Sequence, residues 1–286
     1  MILAAALLFS TGGAAVKLTS LTGWQVASLR SGIAAITLIL ILPSARRNWS
    51  HRTLLVSCAY AATMISFVLA NKLTTAANAV FLQSTAPLYV LVFGPLLLDE
   101  PIRRKHIVFM ATLAAGMWLI FAGDQGRSAT APNPLLGNII GAVTGFWWAL
   151  TVIGLRWLGR DQTRSSSSSD PAAAVVGGNV IACLAALPAA LPISNPTAID
   201  WISVSFLGIF QIAIAYVFLV RGVRRVEALE VSLLVLLEPV LSPVWAWLIH
   251  GEVPSGLALL GGALIVTATA SFTWSTSSEP SAIGEP

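Results

Sequence analysis

The sequence predicts an all-α membrane protein in which ten transmembrane helices form two inverted repeats of five helices (5+5). Three observations predict this fold class. Hydrophobic residues make up 56% of the chain and charged residues 10%, whereas a soluble domain carries about 25% charged residues. The apolar runs approach the roughly 20 residues that a helix needs to cross a bilayer. One phrase of the first half also returns in the second half, 152 residues later.

Ten apolar runs are long enough to cross a membrane, and together they occupy nearly the whole chain. The space left between them is too small for a soluble domain of ordinary size. The predicted spans are residues 2–19, 24–42, 54–71, 77–97, 106–123, 135–156, 172–191, 200–220, 229–249 and 255–274.

The positions of lysine and arginine predict how these spans are oriented. Basic residues concentrate in the cytoplasmic loops of membrane proteins. Of the sixteen in this chain, twelve lie at the end of the second, fourth, sixth and eighth spans or in the loops after them, whereas the odd-numbered loops hold only Lys72 and Arg127. We therefore expect a multi-pass protein of the cell (inner) membrane with both termini in the cytoplasm. The twelve are Arg46, Arg47, Arg52, Arg103, Arg104, Lys105, Arg156, Arg160, Arg164, Arg221, Arg224 and Arg225.

The repeated phrase joins a proline to an acidic residue at the end of a span. In TTAANAVFLQSTAPLYVLVFGPLLLDE, Pro87 comes 13 residues before Glu100. In VEALEVSLLVLLEPVLSPVWAWLIHGE, Pro239 comes 13 residues before Glu252. Because each half contains five spans, the same phrase crosses the membrane in opposite directions.

This inversion predicts both a division of the chain and a mode of action. We expect a first five-helix repeat at residues 1–125, a second at residues 133–275 and a disordered tail at residues 276–286. Inverted repeats are the architecture of many transporters that work by alternating access. A structural membrane protein that arose by duplication, without transport, is the alternative.

Further motifs accompany the repeated phrase. The first span contains LLFSTGGAAVKL, the second contains VASLRSGIAA, and GNIIGAVTGFWWALTVIGLRWL opens the second half. With the proline-to-acid phrases they resemble the EamA type of the drug/metabolite transporter superfamily over most of the chain. The resemblance implies a ten-helix carrier with a central cavity, usually an exporter of small metabolites or amino acids. It does not name a substrate.

Glu238 is the most informative charged residue because it lies about nine residues into the ninth span, roughly 13 Å deep. An isolated carboxylate at this depth is costly. Pro239 and Pro243 interrupt the same span, and irregular backbone is tolerated there only inside protein or beside water. Two interpretations stay open: Glu238 binds substrate or a proton from a cavity, or it forms a structural ion pair or hydrogen bond.

Uncharged polar and aromatic residues form stripes at helical spacing on the third and sixth spans. Such stripes occur more often at helix–helix contacts than at ligand sites, so both interpretations stay open. Amide and aromatic walls would suit an amino acid or a small planar metabolite. The predicted substrate-binding residues are Ser10, Tyr60, Thr63, Gln83, Thr144, Trp148, Gln211 and Glu238, and Glu238 is also the candidate for proton coupling.

A second set of residues is predicted to be structural. The Lys17 side chain can extend to the outer surface of the membrane. Arg30 lies deeper and can pair with Glu238 or attract a substrate carboxylate. We expect Glu100 and Glu252 to cap the first turn of the helix that follows each of them. The structural set is Lys17, Arg30, Pro87, Glu100, Pro239, Pro243 and Glu252.

The remaining patterns favour secondary active transport, with export as the direction. No HExxH sequence and no glycine-rich phosphate loop occurs, so we expect neither an enzyme nor an ATP-driven pump, and no cofactor or metal. A channel is the alternative, although the sparse polar residues fit an occludable cavity better. The expected partners are a small-molecule substrate and the lipid bilayer, not nucleic acid. A monomer is compatible with the sequence, which does not set the oligomeric state.

Overall fold

The computed structural model describes residues 1–42, 45, 49–98, 104–123, 126–162, 171–218 and 237–277. Within these ranges the regular secondary structure is helical, apart from one isolated bridge between Ser128 and Ala131. Glu100 and residues 278–286 of the predicted tail lie outside the described residues, as do most of the predicted basic loops. Residues 276 and 277, the first two of that tail, are helical.

The first half of the chain contains seven helices in its described part. They are α1 (Ile2–Ser10), α2 (Gly12–Leu18), α3 (Gly23–Ile41), α4 (His51–Leu73), α5 (Ala76–Gln83), α6 (Ala86–Leu98) and α7 (Arg104–Ala122).

The second half begins with α8 (Pro134–Gln162) and α9 (Pro171–Ala190). Next comes α10 (Ala198–Phe206), which continues directly as a π-helix (Leu207–Ile214). The last two helices are α11 (Leu237–His250) and α12 (Gly256–Ser277).

Each predicted span overlaps one of these helices or two consecutive ones. Among the described residues, five helical stretches are both long and apolar enough to cross a membrane: Gly23–Ile41, His51–Leu73, Pro134–Leu155, Pro171–Ala190 and Ala198–Phe218. The expectation of an all-helical chain with membrane-length helices is therefore confirmed. Ten crossings arranged as two inverted sets of five stay a prediction.

Three of the predicted spans contain a local departure from the regular α-helix. Thr11 separates α1 from α2, and Ser84 and Thr85 separate α5 from α6. Pro87 occupies the first turn of α6, where backbone N–H groups have no partner within the helix, so proline costs no helical hydrogen bond there. The π-helix is the third departure. Such irregular backbone inside a membrane protein commonly borders a cavity.

Side-chain caps fix the starts of several helices. Thr22 and Gln25 form a reciprocal capping box at α3, and Thr197 and Asp200 form another at α10. Asp200 also accepts hydrogen bonds from the Ser20 N–H at 2.6 Å and the Ser20 hydroxyl at 2.8 Å. The α2–α3 connection is thereby tied to α10.

Helix α4 lies at the centre of the packing, against α8 and α9, while α3 packs on α9 and α7 packs on α12. The α7–α12 contact brings two backbones together at Gly116 and Gly261. A Cβ atom added to Gly261 would lie 2.5 Å from the Gly116 carbonyl oxygen. Small residues allow this close approach in membranes, where helix association depends on packing and not on the hydrophobic effect.

Candidate functional site: a central cavity

A cavity of about 130 Å³ lies among α1, α3, α4, α5, α8, the π-helix and α11. Its wall combines aromatic rings, amide and hydroxyl groups, and two side chains of opposite charge. The lining residues are Phe9, Arg30, Tyr60, Thr63, Met64, Phe67, Gln83, Trp148, Leu155, Gln211, Ile212, Tyr216 and Glu238.

The three departures from regular helix all border this cavity. Phe9 is the penultimate residue of α1, Gln83 is the last residue of α5, and Gln211 belongs to the π-helix. Six of the eight predicted substrate-binding residues line the cavity: Tyr60, Thr63, Gln83, Trp148, Gln211 and Glu238.

The other two, Ser10 and Thr144, are not among the lining residues, contrary to our expectation. The Ser10 hydroxyl accepts a hydrogen bond from the Trp245 indole N–H at 2.9 Å and donates to the Leu7 carbonyl. It therefore joins α1 to α11. The Thr144 hydroxyl donates to the Ile140 carbonyl of its own helix at 2.8 Å and is buried.

Arg30 is 1% exposed and lies on the cavity wall. Its Nη2 donates to the Met64 carbonyl at 2.9 Å, and its guanidinium carbon lies 5.6 Å from the centre of the Phe67 ring. The buried Nε has no hydrogen-bond partner in the described part of the chain. The expected pairing with Glu238 is wrong for this conformation, because the described ion pairs do not include one between these two side chains.

Glu238 is half-buried near the start of the described part of α11. No hydrogen bond or ion pair from another described residue reaches its carboxylate. Of the two interpretations of Glu238, the structural ion pair thus has no support from the described residues. Pro239 is buried beside it, and Pro243 lies within the same helix.

Two cavity hydroxyls already have partners that hold their side chains in place. The Tyr60 hydroxyl accepts a hydrogen bond from Asn179 Nδ2 at 3.4 Å. The Thr63 hydroxyl donates to the Ala59 carbonyl at 3.0 Å and lies 3.3 Å from the Thr151 hydroxyl. The Thr63 hydroxyl is thereby engaged within the wall, whereas Tyr60 serves only as an acceptor in this contact and its O–H can still donate to a ligand.

Sequence reasoning missed several apolar lining residues. Met64 lies four residues after Tyr60, so an extension of the α4 stripe would have found it. Tyr216 lies five residues after Gln211, a spacing that puts two residues on different faces of an α-helix. A π-helix is built on i→i+5 hydrogen bonds, and this brings the two side chains to the same wall.

A second polar cluster surrounds the end of α2. Lys17 Nζ lies 3.2 Å from Glu252 Oε1, and both side chains are 3% exposed. Lys17 also donates to the carbonyl oxygens of Thr74, at 2.8 Å, and Thr130. The expectation that Lys17 extends to the membrane surface is therefore wrong: its ammonium is held inside by a carboxylate and two carbonyls.

Glu252 has a capping role, but at a different helix from the one expected. Its Oε2 accepts a hydrogen bond from the Ala76 N–H at 2.8 Å, at the start of α5. The sequence predicts a cap on α12, the helix that follows Glu252, and this prediction is wrong. Glu252 also borders an open cavity of about 410 Å³, whose lining includes Thr75, Asn78, Thr130 and His250.

The chain is similar to known transporters in sequence. The aromatic amino acid exporter YddG of Ancylobacter novellus is 27% identical over 201 residues, which are 69% of this chain and 67% of the exporter. An uncharacterized transporter of Archaeoglobus fulgidus is 26% identical over 229 residues, 77% of this chain and 74% of that protein.

The likeness extends to three dimensions and to a family model. One crystal structure superposes with a TM-score of 0.64 at 24% identity, covering 96% of this chain and 95% of that one, so the two share a fold. The model of the EamA-like transporter family matches residues 1–122 and 135–274. These stretches include every lining residue of the central cavity, and the chain belongs to the EamA-like transporter family of multi-pass membrane proteins.

Proposed function

We propose that this transporter is a secondary active exporter of small metabolites, with amino acids as its substrate class, and that it works by alternating access. The observation that carries the proposal is the central cavity, whose wall is built from both family-matched stretches of the chain. A cavity between two repeats can hold a solute while the repeats rock against each other.

The wall chemistry supports an amphipathic solute. Phe67, Trp148 and Tyr216 provide aromatic surface, while Gln83 and Gln211 provide amide groups. One relative is named as an exporter of aromatic amino acids. Aromatic amino acids are therefore the first substrates to test, and export is the proposed direction.

The proposed topology follows from the basic residues of the loops. The protein crosses the inner membrane ten times, as two inverted sets of five helices, and both termini lie in the cytoplasm. This topology puts the twelve arginines and lysines of the even-numbered loops on the cytoplasmic side. Glu238 is the proposed site of proton coupling, because it has a carboxylate on the cavity wall that no described residue pairs.

Counterflow in liposomes tests the function. Purified protein is reconstituted in vesicles loaded with each of the twenty L-amino acids, and entry of the same radiolabelled amino acid is followed. Saturable, transient accumulation of at least one amino acid is the expected result. Flux that rises linearly with concentration and never accumulates would favour a channel. No flux above that of empty vesicles for any amino acid would contradict the proposal.

A further inference from the structure

Building on the proposed function, we infer that Arg30 and Glu238 hold the two charged ends of a zwitterionic α-amino acid. The Arg30 guanidinium binds the substrate carboxylate, and the Glu238 carboxylate binds the substrate ammonium. The uncharged side chain of the substrate then lies against the aromatic wall at Phe67 and Trp148. The two residues are thereby the specificity determinants of the cavity.

Two opposite charges lie in one small cavity without pairing to each other. Arg30 and Glu238 line the same cavity of about 130 Å³, yet they do not form a salt bridge. Removing a charge from water is costly unless an opposite charge or hydrogen bonds compensate for it. A zwitterion between the two side chains would satisfy both at once, with each of its ends facing the opposite charge.

The Arg30 guanidinium is held in place, yet most of its N–H donors are not used by the described contacts. A guanidinium has five N–H donors, and the described contacts of Arg30 use one nitrogen, Nη2, with the Met64 carbonyl. The Phe67 ring lies against the same group. Nε is buried without a partner in the described part of the chain. A pre-oriented planar fork of this kind suits a carboxylate, which can accept two parallel hydrogen bonds.

Glu238 and Gln211 bring hydrogen-bond acceptors to the wall of the same cavity. An ammonium group has three N–H donors and needs as many acceptors. Glu238 offers carboxylate oxygens that no described residue engages, and Gln211 Oε1 is buried without a hydrogen-bond partner among the described residues. Both side chains line the cavity. Together they supply the acceptors that an ammonium requires.

The size of the cavity agrees with a small zwitterion. Pockets for drug-sized ligands measure about 300–1,000 Å³, whereas this cavity measures about 130 Å³. A free amino acid carries its two charged groups on one carbon atom and so fits both partners within a short distance. A peptide or a larger drug would not be enclosed in the same way.

The test compares matched probes that differ only in their charged ends. One set is L-phenylalanine, 2-phenylethylamine and 3-phenylpropanoate, and the second is L-leucine, isopentylamine and 4-methylpentanoate. Each compound competes with counterflow of the radiolabelled amino acid of its set. The unaltered protein is expected to prefer the amino acid over either one-ended analogue by about tenfold or more, because each analogue leaves a charged group unpaired.

Substitutions assign each end to its residue. Arg30→Gln is expected to abolish the preference for the amino acid over the amine, while the preference over the acid is retained. Glu238→Gln is expected to do the reverse. Arg30→Lys keeps the charge but not the fork and should have an intermediate effect. Arg52→Gln, at an exposed arginine that stacks on Trp157, is the control and should match the unaltered protein.

The outcomes separate this inference from the proposed function. Counterflow of an amino acid with equal affinity for its amine and acid analogues would overturn the charge clamp and leave the transporter proposal standing. Variants that weaken all three probes equally would also overturn it, because they would show a structural role. No counterflow of any amino acid would overturn both. If Arg30→Gln does not fold, the relative affinities of the unaltered protein for the amino acid, the amine and the acid still support or overturn the charge clamp.

Discussion

The ammonium of Lys17 and the carboxylate of Glu252 lie 3.2 Å apart with both side chains 3% exposed, although 235 positions separate them in the sequence. This pair joins the end of α2 to the connection between α11 and α12. The same carboxylate caps α5 through the Ala76 N–H. Three segments of the chain therefore depend on one pair of charges.

Breaking this pair should destabilise the fold strongly. Lys17→Met leaves the Glu252 carboxylate buried without its partner, a loss of about 3–5 kcal/mol for pairs of this kind. The double variant Lys17→Met/Glu252→Gln should lose less than the sum of the two single variants. Thermal melting of the detergent-purified proteins measures both. Lys72→Met is the matched control, because Lys72 bonds to Thr19 and not to Glu252. Its effect should deviate less from additivity with Glu252→Gln than the effect of Lys17→Met does.

Two adjacent tryptophans allow a sharp test of the cavity wall. Trp148 lines the cavity, whereas Trp147 lies outside it, edge-on to Phe146. Trp148→Ala removes aromatic surface from the substrate and should raise the KM of counterflow about tenfold. Trp147→Ala should leave the KM unchanged. Gln83→Ala should also raise the KM, through loss of an amide. Equal KM values for the two tryptophan variants would contradict the assignment of the wall.

Proton coupling should depend on the Glu238 carboxyl group. Glu238→Gln cannot release a proton, so uptake driven by a pH difference across the liposome membrane should vanish. Exchange of substrate at saturating concentration should persist, because it needs no net proton movement. Glu238→Asp, which keeps a carboxyl group, should retain part of the response to the pH difference. An unaltered response in Glu238→Gln would rule out coupling at this residue.

The close backbone contact of α7 with α12 should tolerate no side chain. In Gly261→Ala the new Cβ would lie 2.5 Å from the Gly116 carbonyl oxygen, so the helices must separate. We expect a loss of about 1–3 kcal/mol, seen as a lower melting temperature. Gly256→Ala is the control on the same helix, because a Cβ there meets no atom within 4 Å. If the two variants have the same melting temperature, the close contact does not contribute to stability.

The helices were predictable because hydropathy acts over whole segments of about 20 residues. The six predicted cavity residues that do line the wall were predictable for a related reason: polar groups such as Gln83, Gln211 and Glu238 stand out in apolar runs. Tyr60 and Thr63 followed from their helical spacing.

Long-range pairings were not predictable from such local patterns. Nothing near Lys17 in the sequence indicates that Glu252 lies beside it, so the ordinary behaviour of a lysine near a membrane surface was the natural expectation. The prediction that Ser10 binds substrate in the cavity has the same weakness, since its hydrogen-bond partner Trp245 is distant in the sequence. Tyr216 was missed because the 3.6-residue period does not hold in the π-helix.

Because of that π-helix, the shape of the cavity depends on the number of residues between α10 and Tyr216. Deleting one residue from 207–210, ahead of Gln211, would let the segment wind as an ordinary α-helix while the spacing of five between Gln211 and Tyr216 stayed the same. Tyr216 would then turn away from Gln211 and the cavity would lose part of its wall. In this part of the molecule an insertion or deletion can reshape the binding chamber without replacing any residue that touches it.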